Sequence, residues 1–183
     1  MKAKLGLAVA TVAAVAILGL LTGCAPTVAL KPAAHATSAA CAGVIARLPD
    51  TVSTLSQRET NAQGTSAWGP SADIYLRCGV AVPAPTAALP CLTVDGVDWL
   101  RNDSEAPVFV FTTYGRDPAV AVTVNSKNVD ADGNAALTDL EPAVASILSQ
   151  HRCVAPSEVL RGGDPVETPT PNPTPSATRS PTN

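Results

Sequence analysis

The chain has 183 residues, with 12 Lys and Arg against 15 Asp and Glu, a formal net charge of −3, and two histidines. That balance argues against a nucleic-acid partner, which needs a basic stripe, and the two histidines argue against a histidine-dependent hydrolase or zinc centre. The length allows one domain with unstructured ends, not a two-lobed binding protein.

The chain opens on Lys2 and Lys4, followed by an uncharged, apolar stretch over residues 5–21. This is the pattern of an export signal. As a helix the stretch would span only about 25 Å, at the short end of what a bilayer requires. Leu21-Thr22-Gly23-Cys24 places a thiol directly after a small-residue pair, the arrangement of a lipobox. Residues 1–23 are therefore expected to be a lipoprotein signal peptide cut before Cys24, with acyl chains of the palmitate type on that cysteine. At about 0.8 kcal/mol per buried methylene, two such chains anchor effectively permanently. The expected location is the plasma membrane, lipid-anchored on its extracytoplasmic face. Residues 24–38 are small, Ala-rich and interrupted by Pro26 and Pro32, and read as a tether reaching about 45 Å. Residues 154–183 form a Pro/Thr-rich tail expected to be disordered.

Residues 39–153 remain as the folded domain. From Cys41 to Cys153 there are seven Lys or Arg against twelve Asp or Glu, net −5, so the acyl chains rather than surface charge are expected to hold the membrane. Besides Cys24 the chain has Cys41, Cys78, Cys91 and Cys153. An exported domain is oxidised, so two disulfides are expected. Of three pairings, the nested one is favoured, Cys41 with Cys153 around the whole domain and Cys78 with Cys91 around a short proline-rich loop. No Cys-x-x-Cys spacing supports a metal site.

The first element is a short helix from Ser38 to Leu48, with Ser38 as cap, Cys41, Val44, Ile45 and Leu48 on one face, and Pro49 as stop. Residues 74–80 alternate as a strand, with Ile74, Leu76 and Cys78 on one face and Tyr75 and Arg77 on the other. Asp95-Gly96 joins two strands into a hairpin. Residues 108–114 are apolar on both faces, as in a central strand, and return after Gly115-Arg116-Asp117-Pro118 through Val120, Val122 and Val124. A final helix over about 134–150 carries Leu137, Leu140, Val144, Ile147 and Leu148 on one stripe, with Pro142 in a first turn or at a kink. The expected fold is α+β: a small antiparallel sheet of four to five strands packed by an N-terminal and a C-terminal helix, and disulfide-clipped.

Three constellations carry chemical possibilities. A small wall-active glycan hydrolase would need a carboxylate pair such as Asp95 and Asp98 beside Trp68 or Trp99, although these residues serve equally as turn former, edge charge and packing. A calcium loop is suggested by Asn128, Asp130, Asp132 and Asp139 with Gly133 between them, against which stand Asn at the first position, Asp at the last, and a preceding strand. Arg116, on a hairpin tip, has the planar donors to grip a carboxylate or phosphate.

Together, Cys41, Leu48-Pro49, Arg58, Trp68-Gly69, Leu76-Arg77-Cys78-Gly79-Val80, Val94-Asp95-Gly96-Val97-Asp98-Trp99 and Thr112-Thr113-Tyr114-Gly115-Arg116 resemble an actinobacterial family of small exported proteins and lipoproteins, domain of unknown function thirty-five fifteen. The resemblance covers about residues 39–150. It implies a cell-envelope setting and supplies no catalytic residue, cofactor or ligand. The expected role is a non-catalytic cell-envelope binding or assembly module without a cofactor, with an envelope protein or the cell wall as partner. Trp68, Arg77, Trp99, Tyr114 and Arg116 are its candidate binding surface. The alternatives are the glycan hydrolase and a calcium or small-ligand sensor.

Overall fold

The computed structural model describes residues 26–154; the expected export signal, Cys24 and the expected tail from residue 155 lie outside the described residues. In chain order the elements are α1 (Ala39–Ile45), β1 (Thr51–Val52), β2 (Leu55–Arg58), β3 (Thr65–Trp68), β4 (Ile74–Val80), β5 (Cys91–Val94), β6 (Val97–Glu105), β7 (Val108–Thr113), β8 (Ala119–Asn125) and α2 (Gly133–Val144). The strands form one antiparallel sheet in the order β1-β2-β3-β4-β8-β7-β6-β5. This corrects the expected α+β fold of four to five strands flanked by terminal helices: the domain is mostly β, with an eight-stranded sheet and two short helices. Among the described residues no helix is long and apolar enough to cross a membrane.

One face of the sheet builds the core. Ile74, Leu76 and Cys78 of β4, Val120, Val122 and Val124 of β8, and Val97 and Trp99 of β6 are all fully buried, as period-two alternation requires of a helix-covered face. They meet Cys41 and Val44 of α1 and Leu137, Leu140 and Val144 of α2. Helix α2 packs against β1, β5 and β8, thus against both edges of the sheet and its middle. Eight flat strands at about 4.8 Å spacing would put those edges roughly 34 Å apart, far beyond the 10–12 Å width of a helix. The sheet therefore curls around α2. Register shifts at Cys78/Val80 and Asn102/Glu105 supply local bends.

Ser38 caps α1 as its sequence predicts, its Oγ accepting from Cys41 N (3.2 Å), and Asp132 caps α2, its Oδ1 accepting from Ala135 N (2.7 Å). Helix α2 stops at Val144, short of the expected 150, and Pro142 lies inside it near the C-terminal end, not in a first turn, where its missing N–H costs the bond to the carbonyl of Thr138. Ile147 remains buried in the following segment, whereas Leu148 is 83% exposed and leaves the expected stripe.

Residues 26–38, expected within a tether, lie along the sheet instead. Val28 N donates to Glu59 O (2.8 Å), Asn61 N to Val28 O (3.2 Å) and His35 N to Gly79 O (3.0 Å). Gly79 (φ 91°) is needed here, because a side chain at this position would run into the backbone of His35 and Ala36. The disulfide pairing also differs from the nested one. Cys41 bonds Cys78, joining α1 to β4 (Cα–Cα 5.5 Å), and Cys91 bonds Cys153, joining β5 to the segment after α2 (5.9 Å). Cys41 follows directly on the segment that crosses β4 at Gly79, which brings it to Cys78 and away from Cys153.

Candidate binding face

The five residues expected to form one binding surface divide between the core and the opposite sheet face. Trp68 and Trp99 are fully buried on the helix-facing side. Trp68 Nε1 donates to Pro49 O (3.1 Å), while Trp99 Nε1 has no partner among the described residues. Both are core residues, which corrects their assignment to a surface. Burial of their large rings outweighs anything they would contribute at a rim.

Arg116 is buried too, at 5% exposure, and its place is structural. Its Nη1 donates to the carbonyl of Ile147, just beyond α2. Burial pulls its guanidinium below the ordinary arginine pKa, opposed by the charges of Asp98 and Glu141. Asp98 is 6% exposed, and both its oxygens are engaged: Oδ1 accepts from Thr93 Oγ1 (2.5 Å) and Oδ2 from Cys153 N (2.8 Å). Gly115 (φ 74°) lets the backbone of His151 pass at contact distance, and Gln150 N donates to Gly115 O (2.6 Å). The Asp98 and Arg116 charges, with the Cys91–Cys153 bridge, thus clamp residues 147–153 to the sheet.

The groups of the two alternatives are similarly occupied. Asp98 and Trp99 are consecutive on β6, so their side chains leave opposite faces, and Asp95 (φ 47°) holds the hairpin turn. No carboxylate pair with a tryptophan wall results. In the calcium-like run, Asn128 Oδ1 accepts from Asp130 N (3.0 Å), Asp132 Oδ1 caps α2, and Asp139 Oδ2 accepts from Ser53 N (2.8 Å). Ser53 Oγ donates to Asp130 O (2.9 Å) and accepts from Asp132 N (2.9 Å), knitting the loop through a side chain. Among the described residues no group of three or more His, Cys, Asp or Glu is placed to hold a metal ion.

Arg77 and Tyr114 remain at the surface. Arg77 of β4 is opposite Ala121 of β8, itself opposite Thr112 of β7. One pair along, Tyr75, Thr123 and Val110 align in the same way. These six share the face turned away from the helices. Ala121 and Thr123 make a low floor, 4% exposed each, between half-buried Tyr75 and Arg77 on one side and half-buried Val110 and Thr112 on the other. Half-buried Tyr114, two residues beyond Thr112, extends the line toward the 114–118 turn. Arg77 Nε is buried without a hydrogen-bond partner among the described residues. Tyr75 was not among the expected residues, although strict alternation in residues 74–80 puts it beside Arg77.

A planar cation, phenol groups and hydroxyls over a small-residue floor can take a carboxylate, phosphate or amide from a partner. The face pairs no nucleophile with a base. No curated protein matches the chain, and no solved structure does. The family described as a protein of unknown function, DUF3515, matches residues 5–153, and the chain belongs to that family.

Proposed function

We propose that the protein is a membrane-anchored extracytoplasmic lipoprotein, held by acyl chains on Cys24, whose domain is a non-catalytic binding or assembly module of the cell envelope. The observation that carries the binding role is the half-exposed part of the sheet face turned from the helices, where Arg77 stands beside Tyr75 over a floor of Ala121 and Thr123, its Nε without a partner among the described residues. An arginine half-buried without an acceptor forgoes hydrogen bonds that a carboxylate, phosphate or carbonyl of a partner would restore. Asp98 and Arg116, the other groups with chemical potential, are committed to holding the C-terminal segment. The anchoring role is supported by the lipobox and by the two disulfides that an oxidising compartment permits.

The test is isolation of the lipidated full chain from mildly solubilised envelopes, as wild type and as Arg77→Ala, with comparison of the associated material. A protein or wall fragment should accompany the wild type and be depleted about tenfold with Arg77→Ala, equivalent to about 1.4 kcal/mol. The same associated material with both forms would contradict a binding role for this face. Loss of acyl labelling in Cys24→Ala tests the anchor separately.

A further inference from the structure

The N-terminal segment fixes which end of the domain meets the membrane, an inference that rests on the lipid anchor proposed for Cys24. Pro26 O accepts a hydrogen bond from Arg58 Nη2 (2.7 Å), and Arg58 Nη1 donates to Gly69 O (3.2 Å) and Pro70 O (2.7 Å). Cys24 lies two residues before Pro26, so the chain allows at most about 7 Å between them. A free tether of residues 24–38 would have allowed several times that distance. The bridge between Val28 and Thr60 is parallel, so tracing the chain back from Val28 to Pro26 follows β2 backward, toward the turn that joins β3 to β4.

The strand register places that 69–73 turn at the same sheet end as the 105–108 turn and the 125–132 loop, since Asn125 N donates to Asp73 O (2.8 Å) and Asn125 pairs with Val108. The 59–64 turn, the Asp95-Gly96 turn and the 114–118 turn lie at the opposite end. The anchor-side end also carries Val129, 90% exposed at the tip of its loop.

We infer that this end of the sheet, with the 69–73 turn nearest the anchor and Val129 on the neighbouring loop, is the surface the domain lays against the lipid headgroups. The opposite end, with the 59–64 and 114–118 turns, points away from the membrane. Asp103, Glu105 and Asp130 belong to the same membrane-facing end and oppose an anionic surface. The short link to the acyl chains, rather than headgroup charge, therefore sets the orientation.

The experiment uses the lipidated full chain in phosphatidylcholine vesicles containing a nickel-chelating lipid. A ketone-bearing amino acid, p-acetylphenylalanine, replaces Ser71, Lys127 or Gln63 one at a time and carries an oxime-linked nitroxide, which leaves the cystines untouched. Ser71 and Lys127 belong to the anchor-side end and Gln63 to the far end, and all three are exposed. Paramagnetic relaxation by lipid-held nickel should be several-fold stronger at positions 71 and 127 than at 63. A flexible Gly/Ser insertion of about ten residues between Ala25 and Pro26 should remove most of that difference. Equal relaxation at the three positions, a reversed order, or a difference undiminished by the insertion would each overturn the inference while leaving the anchor intact. Flotation of Cys24→Ala with the vesicles as efficiently as wild type would overturn the anchor reading, and this inference with it.

Discussion

Thr112-Thr113-Tyr114-Gly115-Arg116 illustrates how a segment that reads as a recognition hairpin can be a structural joint. Thr113 Oγ1 accepts from Val120 N (2.9 Å) across the turn, Gly115 admits the backbone of His151, and Arg116 holds the carbonyl of Ile147. Removing the guanidinium leaves that carbonyl without its charged donor in a buried setting. Arg116→Ala should therefore cost about 2 kcal/mol in urea unfolding, the range for a buried hydrogen bond to a charged group. Arg77→Ala, which removes no hydrogen bond found among the described residues, should stay within about 0.5 kcal/mol of wild type. An equal cost for both would show that Arg77 is also structural. Burial of Arg116 was not legible in advance: a polar hairpin tip normally faces water, and only the return of residues 147–153 across it changes that. Arg77 was legible, because Leu76 and Cys78 on either side of it belong to the opposite, core-facing set.

The long central strands and the Asp95-Gly96 hairpin follow from alternation and turn chemistry alone, and the structure has them where the pattern puts them. Residues 51–68, for which the sequence pattern predicts no element, hold β1, β2 and β3. Their strands are two to four residues long, and Thr65-Ser66-Ala67-Trp68 is buried at every position, so it shows no apolar-polar alternation. Pairing with β4 holds such a strand, and that partner is invisible locally. The two cystines differ as elements. Cys41 and Cys78 are fully buried, whereas Cys91 is exposed and Cys153 half-buried. Mild dithiothreitol followed by alkylation and mass spectrometry should find Cys91–Cys153 opened first; prior opening of Cys41–Cys78 would contradict the packing. Each bridge closes a loop, of sequence separation 37 and 62, for which chain entropy predicts a contribution of about 4 kcal/mol. Replacing either pair by serines should lower unfolding stability by a comparable amount.

At the scale of the molecule, a curled sheet buries one face on two short helices, the segment after α2 covers the β5–β6 side of the other face, and Tyr75, Arg77, Val110 and Thr112 stay half-exposed on it, while the segment preceding α1 is laid along the sheet from Pro26 onward. If Cys24 is acylated, little slack separates the domain from the bilayer, and the open face is presented beside the membrane instead of roaming from it. The composition suggests the envelope setting that we propose, through the lipobox and the paired cysteines. It did not disclose the short link, because an Ala- and Pro-rich stretch with no periodicity is indistinguishable from a tether until Glu59, Asn61 and Gly79 are seen to pair with it. The central claim is that the face around Arg77 contacts an envelope partner. Its most direct test is photo-crosslinking in intact cells with a benzophenone amino acid in place of Thr112, compared with the same chain carrying Arg77→Ala. A discrete adduct that fades with Arg77→Ala is the predicted result. An adduct pattern indifferent to Arg77→Ala, or no adduct from Thr112 while a probe elsewhere on the domain gives one, would contradict it.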